Sequence, residues 1–179
     1  MCLKGGVDAP KVFHRFKQVD APERGLSYIA DEEAYDAISF IPNKDIKFAG
    51  FSVYQVFQDN GESVDFKCLY KIKLGADSWP EKMMEFKIGD VDANTKMVDI
   101  MLPAEIVVQK GKQIVIGVRF IAGEDFFCKT YLGYGGEDYK RIKHNEECIF
   151  DVLETEDCTK GETDVTFGQI PRIHYFDSK

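Results

Sequence analysis

The chain has 179 residues, 44% hydrophobic and 30% charged, the balance of an ordinary soluble globular protein and not of a disordered one. Its 23 Lys plus Arg against 31 Asp plus Glu give a formal net charge of -8, which repels phosphate backbones and argues against nucleic acid as a partner. The longest apolar run, Ile114–Ala122, is too short to span a bilayer and contains Arg119, and the opening MCLKGGVDAP lacks the apolar core of a signal peptide.

Taken in order, residues 1–10 are small and polar and are expected to be flexible, with one domain occupying 11–179. Lys11–Val19 alternates enough to suggest a strand, and Ala21–Tyr35, with Pro22, Gly25 and an acidic cluster, reads as a loop with a helical turn at Asp31–Tyr35. The chain is organised around Asp36–Phe57. Ala37–Ile41 and Ile46–Phe57 are rich in Ile, Phe, Val and Tyr, which suit a pleated surface, and Pro42-Asn43-Lys44-Asp45 reverses the chain between them. The second of these strands has apolar residues on both faces, so it is expected at the centre of a sheet.

Asp59-Asn60-Gly61 is a hairpin signal. From Ser63 to Leu74 the even positions (Val64, Phe66, Cys68, Tyr70, Ile72, Leu74) are apolar and Asp65, Lys67, Lys71 and Lys73 take odd ones, which places one face in a core. The same alternation recurs at Met84, Phe86 and Ile88, at Val98, Ile100 and Leu102, and at Ile114, Ile116, Val118 and Phe120. Phe126–Leu132, Cys148–Leu153 and Ile170–Phe176 complete about ten strands, with turns at Gly75–Pro80, Gly89–Asn94, Lys110–Lys112 and Gly123–Asp125. The expected fold is all-β: a two-sheet antiparallel β-sandwich, jelly-roll-like, without long helices.

Few groups offer chemistry. Asp90-Val91-Asp92-Ala93-Asn94 begins like a calcium loop but has Thr95 and Met101 where the loop needs Gly and Glu, so it reads as a solvated turn. Gly133-Tyr134-Gly135-Gly136 lacks the Lys-Ser/Thr of a phosphate-binding loop. The cysteines (Cys2, Cys68, Cys128, Cys148, Cys158) are odd in number and show no C-x-x-C spacing, and Cys68 and Cys128 sit within apolar strand patterns. Free, buried thiols in a reducing compartment are expected, hence a cytoplasmic protein. No metal, cofactor or catalytic residue is assigned. The glycines and aromatics around Tyr131, Tyr134 and Tyr139 suit a binding edge, since tyrosine supplies wide amphipathic contact at low entropy cost.

Four segments resemble the PHR domain, named from the PAM, Highwire and RPM ubiquitin-ligase proteins and also found at the end of some BTB-domain proteins. They are Arg15-Phe16 followed by Gly25-Leu26-Ser27-Tyr28; Asp36–Phe40, paired with Gly50-Phe51-Ser52-Val53-Tyr54; Tyr131–Gly136; and Gly168-Gln169-Ile170-Pro171-Arg172-Ile173. Leu26 stands where the family has tryptophan, Gln55 where it has glycine, and Arg172 where it has an acid. The resemblance spans about Val12 to Phe176 and implies a two-sheet sandwich that binds protein partners without catalysis of its own. In such proteins it can recruit substrate or cargo to a ubiquitin-ligase assembly whose chemistry lies in other domains. Recognition is expected on loops at one end, at Gly25, Ser27, Tyr28, Tyr131, Gly133, Tyr134, Gly135 and Gly136, with Tyr28 and Tyr134 as anchors. The alternative is a lectin-like sandwich holding a glycan or small polar ligand at the same Tyr/Gly-rich loop.

Overall fold

The computed structural model describes residues 8–16, 18–20, 26–29, 33–122, 127–136, 149–161 and 163–178. In chain order the strands are β1 (Lys11–His14), β2 (Gln18–Asp20), β3 (Leu26–Ile29), β4 (Asp36–Pro42), β5 (Ile46–Tyr54), β6 (Val56–Phe57), β7 (Phe66–Leu74) and β8 (Asp77–Ser78). There follow β9 (Lys82–Phe86), β10 (Met97–Val108), β11 (Ile114–Ala122), β12 (Phe127–Thr130), β13 (Leu132–Tyr134), β14 (Phe150–Leu153), β15 (Phe167–Gly168) and β16 (Arg172–Asp177). Among the described residues all pairings are antiparallel. A four-stranded sheet has the order β1-β16-β5-β10, and a six-stranded sheet the order β14-β4-β11-β7-β8, with β9 also on β7.

These two sheets form the sandwich, and aromatic rings join them. Phe51 of β5 meets Tyr70 of β7 edge-on at 5.4 Å, Phe13 of β1 meets Phe150 of β14 at 5.1 Å, and Phe150 meets Tyr175 of β16 at 5.5 Å. Edge-to-face rings set the positive edge of one against the negative face of another, a gain beyond the area they bury. As expected, β5 is interior to its sheet, and every residue of it except Lys47 is buried.

The structure departs from the expected elements where short-range signals are weak. Strands β4 and β5 are not a hairpin: β4 pairs with β11 and β14, and β5 with β10 and β16. The turn at 42–45 therefore carries the chain from one sheet to the other, which is how two consecutive strands can both be buried on both faces. Asp45 braces this corner by accepting a hydrogen bond from Lys110 N at 2.7 Å. The turn at Asn60-Gly61 forms, but it closes a single bridge between Phe57 and Ser63, because β6 pairs with β12 and β7 with β11. Two small three-stranded sheets, β3-β12-β6 and β15-β13-β2, supplement the two large ones. They raise the strand number above ten, since strands of two to four residues carry too little alternation to be seen in sequence.

Further corrections are local. Leu26–Ile29 is a strand within the expected loop, and Lys11–Val19 divides into β1 and β2, which belong to different sheets. Of the expected helical turn, Glu33–Tyr35 is irregular and residues 31–32 lie outside the described residues. Strand β9 ends at Phe86, and Ile88 is exposed in a 3-10 turn. Strand β10 runs on to Val108 through a bulge between Met101 and Ile106 that accommodates Pro103.

Cys68 and Cys128 are buried free thiols, and Cys158 is a partly buried one. Burial pushes the Cys68 thiol up, away from the reactive thiolate. Cys2 and Cys148 lie outside the described residues, as does most of the expected flexible start, residues 1–7. Among the described residues no helix is long and apolar enough to cross a membrane.

Candidate partner-binding site

The Tyr/Gly-rich segment is built from β12 and β13 with Tyr131 between them. Tyr131 N donates to Gln55 O at 3.2 Å, and its ring meets Phe57 edge-on at 5.6 Å, so this tyrosine is half-buried and braces the strand break. Strand β13 is held on both sides, with Gly133 opposite Gly168 of β15 and opposite Val19 of β2. Tyr134 is 39% exposed, and its backbone lies opposite Phe167 and Gln18. Its ring is thus offered to solvent from a strand fixed on both edges.

The glycines of this segment serve internal packing. Gly133 and Gly136 are buried. A Cβ on Gly133 would press into the Phe16 ring and the Tyr54 hydroxyl, and one on Gly136 would sit within 3.0 Å of Arg15 O. Their small size is required by the protein's own residues. Tyr28 is also a core residue: it is buried, meets Phe120 edge-on at 5.0 Å, and donates its hydroxyl hydrogen bond to the buried Asp36. Of the two expected anchors, Tyr28 is thus enclosed by the protein's own residues and Tyr134 is exposed. Gly135 is half-buried beside it, Ser27 lies opposite Lys129 in the β3–β12 pairing, and Gly25 and Tyr139 lie outside the described residues.

Two polar assemblies that sequence reasoning missed hold this end of the molecule. Gln169 is fully buried: its Oε1 accepts from Tyr54 N at 3.2 Å, and its Nε2 donates to Thr130 Oγ1 at 2.6 Å and Tyr131 O at 3.0 Å. One side chain thus joins β5, β12 and the β12–β13 break. Arg15, also buried, donates through Nη2 to Asp164 O at 2.7 Å and to Phe167 O at 3.0 Å, pinning the segment that leads into β15. Burial lowers the Arg15 guanidinium to about 9, opposed by the nearby Tyr54, Asp164, Asp36 and Cys158, so it stays charged at neutral pH. The sequence clue was Arg15-Phe16 beside a Gly-Gln-Ile-Pro run, but only the fold joins them.

A third cluster lies on the four-stranded sheet. Ser52 Oγ donates to Asp99 Oδ1 at 2.6 Å and lies 3.0 Å from His174 Nε2, which is itself 3.2 Å from Asp99 Oδ1. Arg172 Nη2 donates to the same carboxylate oxygen at 3.0 Å. A nucleophilic relay needs serine and acid on opposite ring nitrogens of the histidine. Here both meet Nε2, so the cluster is a charge-satisfied joint of β5, β10 and β16. The hydrogen bond to His174 holds the Asp99 carboxyl well below the usual range, with burial opposing and Ser52 and Arg172 assisting.

The sign of the resulting pH dependence follows from that depression. The unfolded carboxyl titrates near ~4, so the Asp99 contribution is full above that pH and is lost as pH falls toward the lower folded value. The stability gap between the native protein and Asp99→Asn, read from urea midpoints, is expected to be widest above about pH 4 and to narrow toward about pH 2. A gap independent of pH would show that the negative charge is not what stabilises the joint.

At Asp90–Asn94 the Asp92 carboxylate accepts from Asn94 N at 2.9 Å and Thr95 N at 2.8 Å, closing a turn on itself. The family model for the PHR domain matches residues 14–176, nearly the whole of the chain. No curated protein matches it.

Proposed function

The chain belongs to the PHR domain family, and on that premise we propose that it is a non-catalytic protein–protein interaction module whose contact surface centres on Tyr134. The family is of the protein-interaction type. The observation that carries the site is a tyrosine, 39% exposed, on a strand paired along both edges. Such a ring loses little freedom on binding, which is the main cost an anchor must offset. The reading extends to recruitment of substrate or cargo to a ubiquitin-ligase assembly, with the ligase chemistry in other domains. The buried thiols of Cys68 and Cys128 support a reducing, cytoplasmic setting.

Tyr134→Ala tests the site against partners recovered by pull-down from native cell extract. The expected result is a binding loss of about 2 kcal/mol or more with an unchanged melting temperature. Lowered melting with intact binding would make Tyr134 a packing residue. Capture that free sugars abolish would favour the lectin-like reading instead.

A further inference from the structure

We propose that the strap Trp79-Pro80 is a separate docking site for an extended peptide segment that carries a basic residue next to an apolar one. Trp79 is the chain's single tryptophan and is 37% exposed. The strap links β8 and β9, both paired with β7, and Trp79 N donates to Ile72 O at 3.0 Å, so its backbone is fixed. Tryptophan on a fixed backbone between two hollows is the residue type and setting that most often dominates protein contacts.

The two hollows differ in chemistry. On the edge side, a cleft of about 370 Å³ is walled by Tyr70, Ile72, Leu102, Pro103 and Ile106, with Lys82 and Glu105 offsetting each other in charge. It suits an aliphatic side chain. On the outer face of the six-stranded sheet, a cleft of about 510 Å³ is bordered by the carboxylates of Glu33, Glu81, Glu156 and Asp157. Lys73 pairs with Asp157 at 2.8 Å, Arg119 pairs with Glu81 at 3.3 Å, and the Lys71 ammonium lies over the Tyr35 ring at 4.5 Å. Among the described residues, Glu33 and Glu156, both exposed, have no cationic partner, and against the Lys71 charge they leave the cleft net negative toward an incoming cation. A guanidinium entering here would also meet the Trp79 ring, and the net charge of -8 steers basic segments toward the protein. None of residues 131–136 lines either cleft, so this inference stands apart from the Tyr134 reading.

Trp79 reports on its own site. The probe is a terminally blocked octapeptide of alternating Arg and Leu, titrated against the native chain while Trp79 emission is followed. A saturable blue shift is expected, with affinity about tenfold weaker for the Arg/Ser peptide and no saturation with the Glu/Leu peptide. Glu156→Lys should weaken the Arg/Leu peptide about tenfold, whereas Glu62→Lys, the same charge change on a distant exposed turn, should weaken it less than about twofold. Equal weakening by both variants would reduce the effect to general charge attraction and overturn the proposal. So would a missing shift, or an equal shift with the Glu/Leu peptide or a neutral oligosaccharide.

Discussion

Phe66→Ala is expected to cost about 3–5 kcal/mol in a urea titration, the range for a buried phenylalanine truncated in a core that cannot collapse around the gap. Phe66 is 3% exposed at the head of β7 and lies between two other rings, 5.3 Å from Phe86 and 6.0 Å from Phe120. Those rings belong to strands on either side of β7, each fixed in its own ladder, so neither can follow the missing side chain inward. Lys67, the next residue, is the control. It is exposed and its 3.4 Å pair with Glu85 stands in water, so Lys67→Ala should cost under about 1 kcal/mol. Comparable losses for the two variants would mean that the faces of β7 are assigned wrongly.

That strand was legible from sequence because alternation needs only neighbours in the chain. Phe66, Cys68, Tyr70 and Ile72 face inward, and Lys67 and Lys71 face water, as their spacing alone requires. Strand β5 was legible for a related reason, since apolar residues on both faces announce burial on both sides, whereas β11, read as one-face alternation, is buried at Val115 and Gly117 as well. Pairing was harder. Pro42–Asp45 has the residues of a reversal whether the chain folds back on itself or crosses to the opposite sheet, and the choice depends on β10, β11, β14 and β16, which are distant in sequence. The candidate site shows the same limit. Tyr28 and Tyr134 both lie near glycines and read alike as letters. Asp36, Phe120 and the β3–β12 pairing bury the first, while β2 and β15 leave the second facing out. Arg15 and Gln169 were present in the family-like motifs, yet their roles are to satisfy backbone groups of segments more than a hundred residues away or on other strands.

Arg15→Met is expected to cost about 2–5 kcal/mol and to weaken partner binding as well. Two effects oppose. Removing a buried guanidinium relieves its desolvation, the reason burial lowers it to about 9, and an apolar replacement of similar volume can be neutral for that part. Against this, Asp164 O loses both guanidinium donors, Phe167 O loses one of two and keeps Asp164 N at 3.1 Å, and the guanidinium also leaves the Phe16 ring, over which it sits at 4.0 Å. The hydrogen-bond losses dominate, because each bond from a charged donor is worth about 1.5–3 kcal/mol and Asp164 O is left without its guanidinium partner. The consequence travels along a short path. Asp164 Oδ1 accepts from Thr166 N at 2.7 Å and Phe167 N at 3.0 Å, so this turn presents β15 to β13, and β13 carries Tyr134. Hydrogen exchange should therefore quicken at Phe167 and Gly168 before it does in β7 or β11. Arg15→Lys, with one point donor in place of a fork, should fall between the native chain and Arg15→Met. Stability within about 1 kcal/mol of native for Arg15→Met, with exchange unchanged in β15, would show that desolvation balances the hydrogen bonds and that Arg15 does not support the Tyr134 strand.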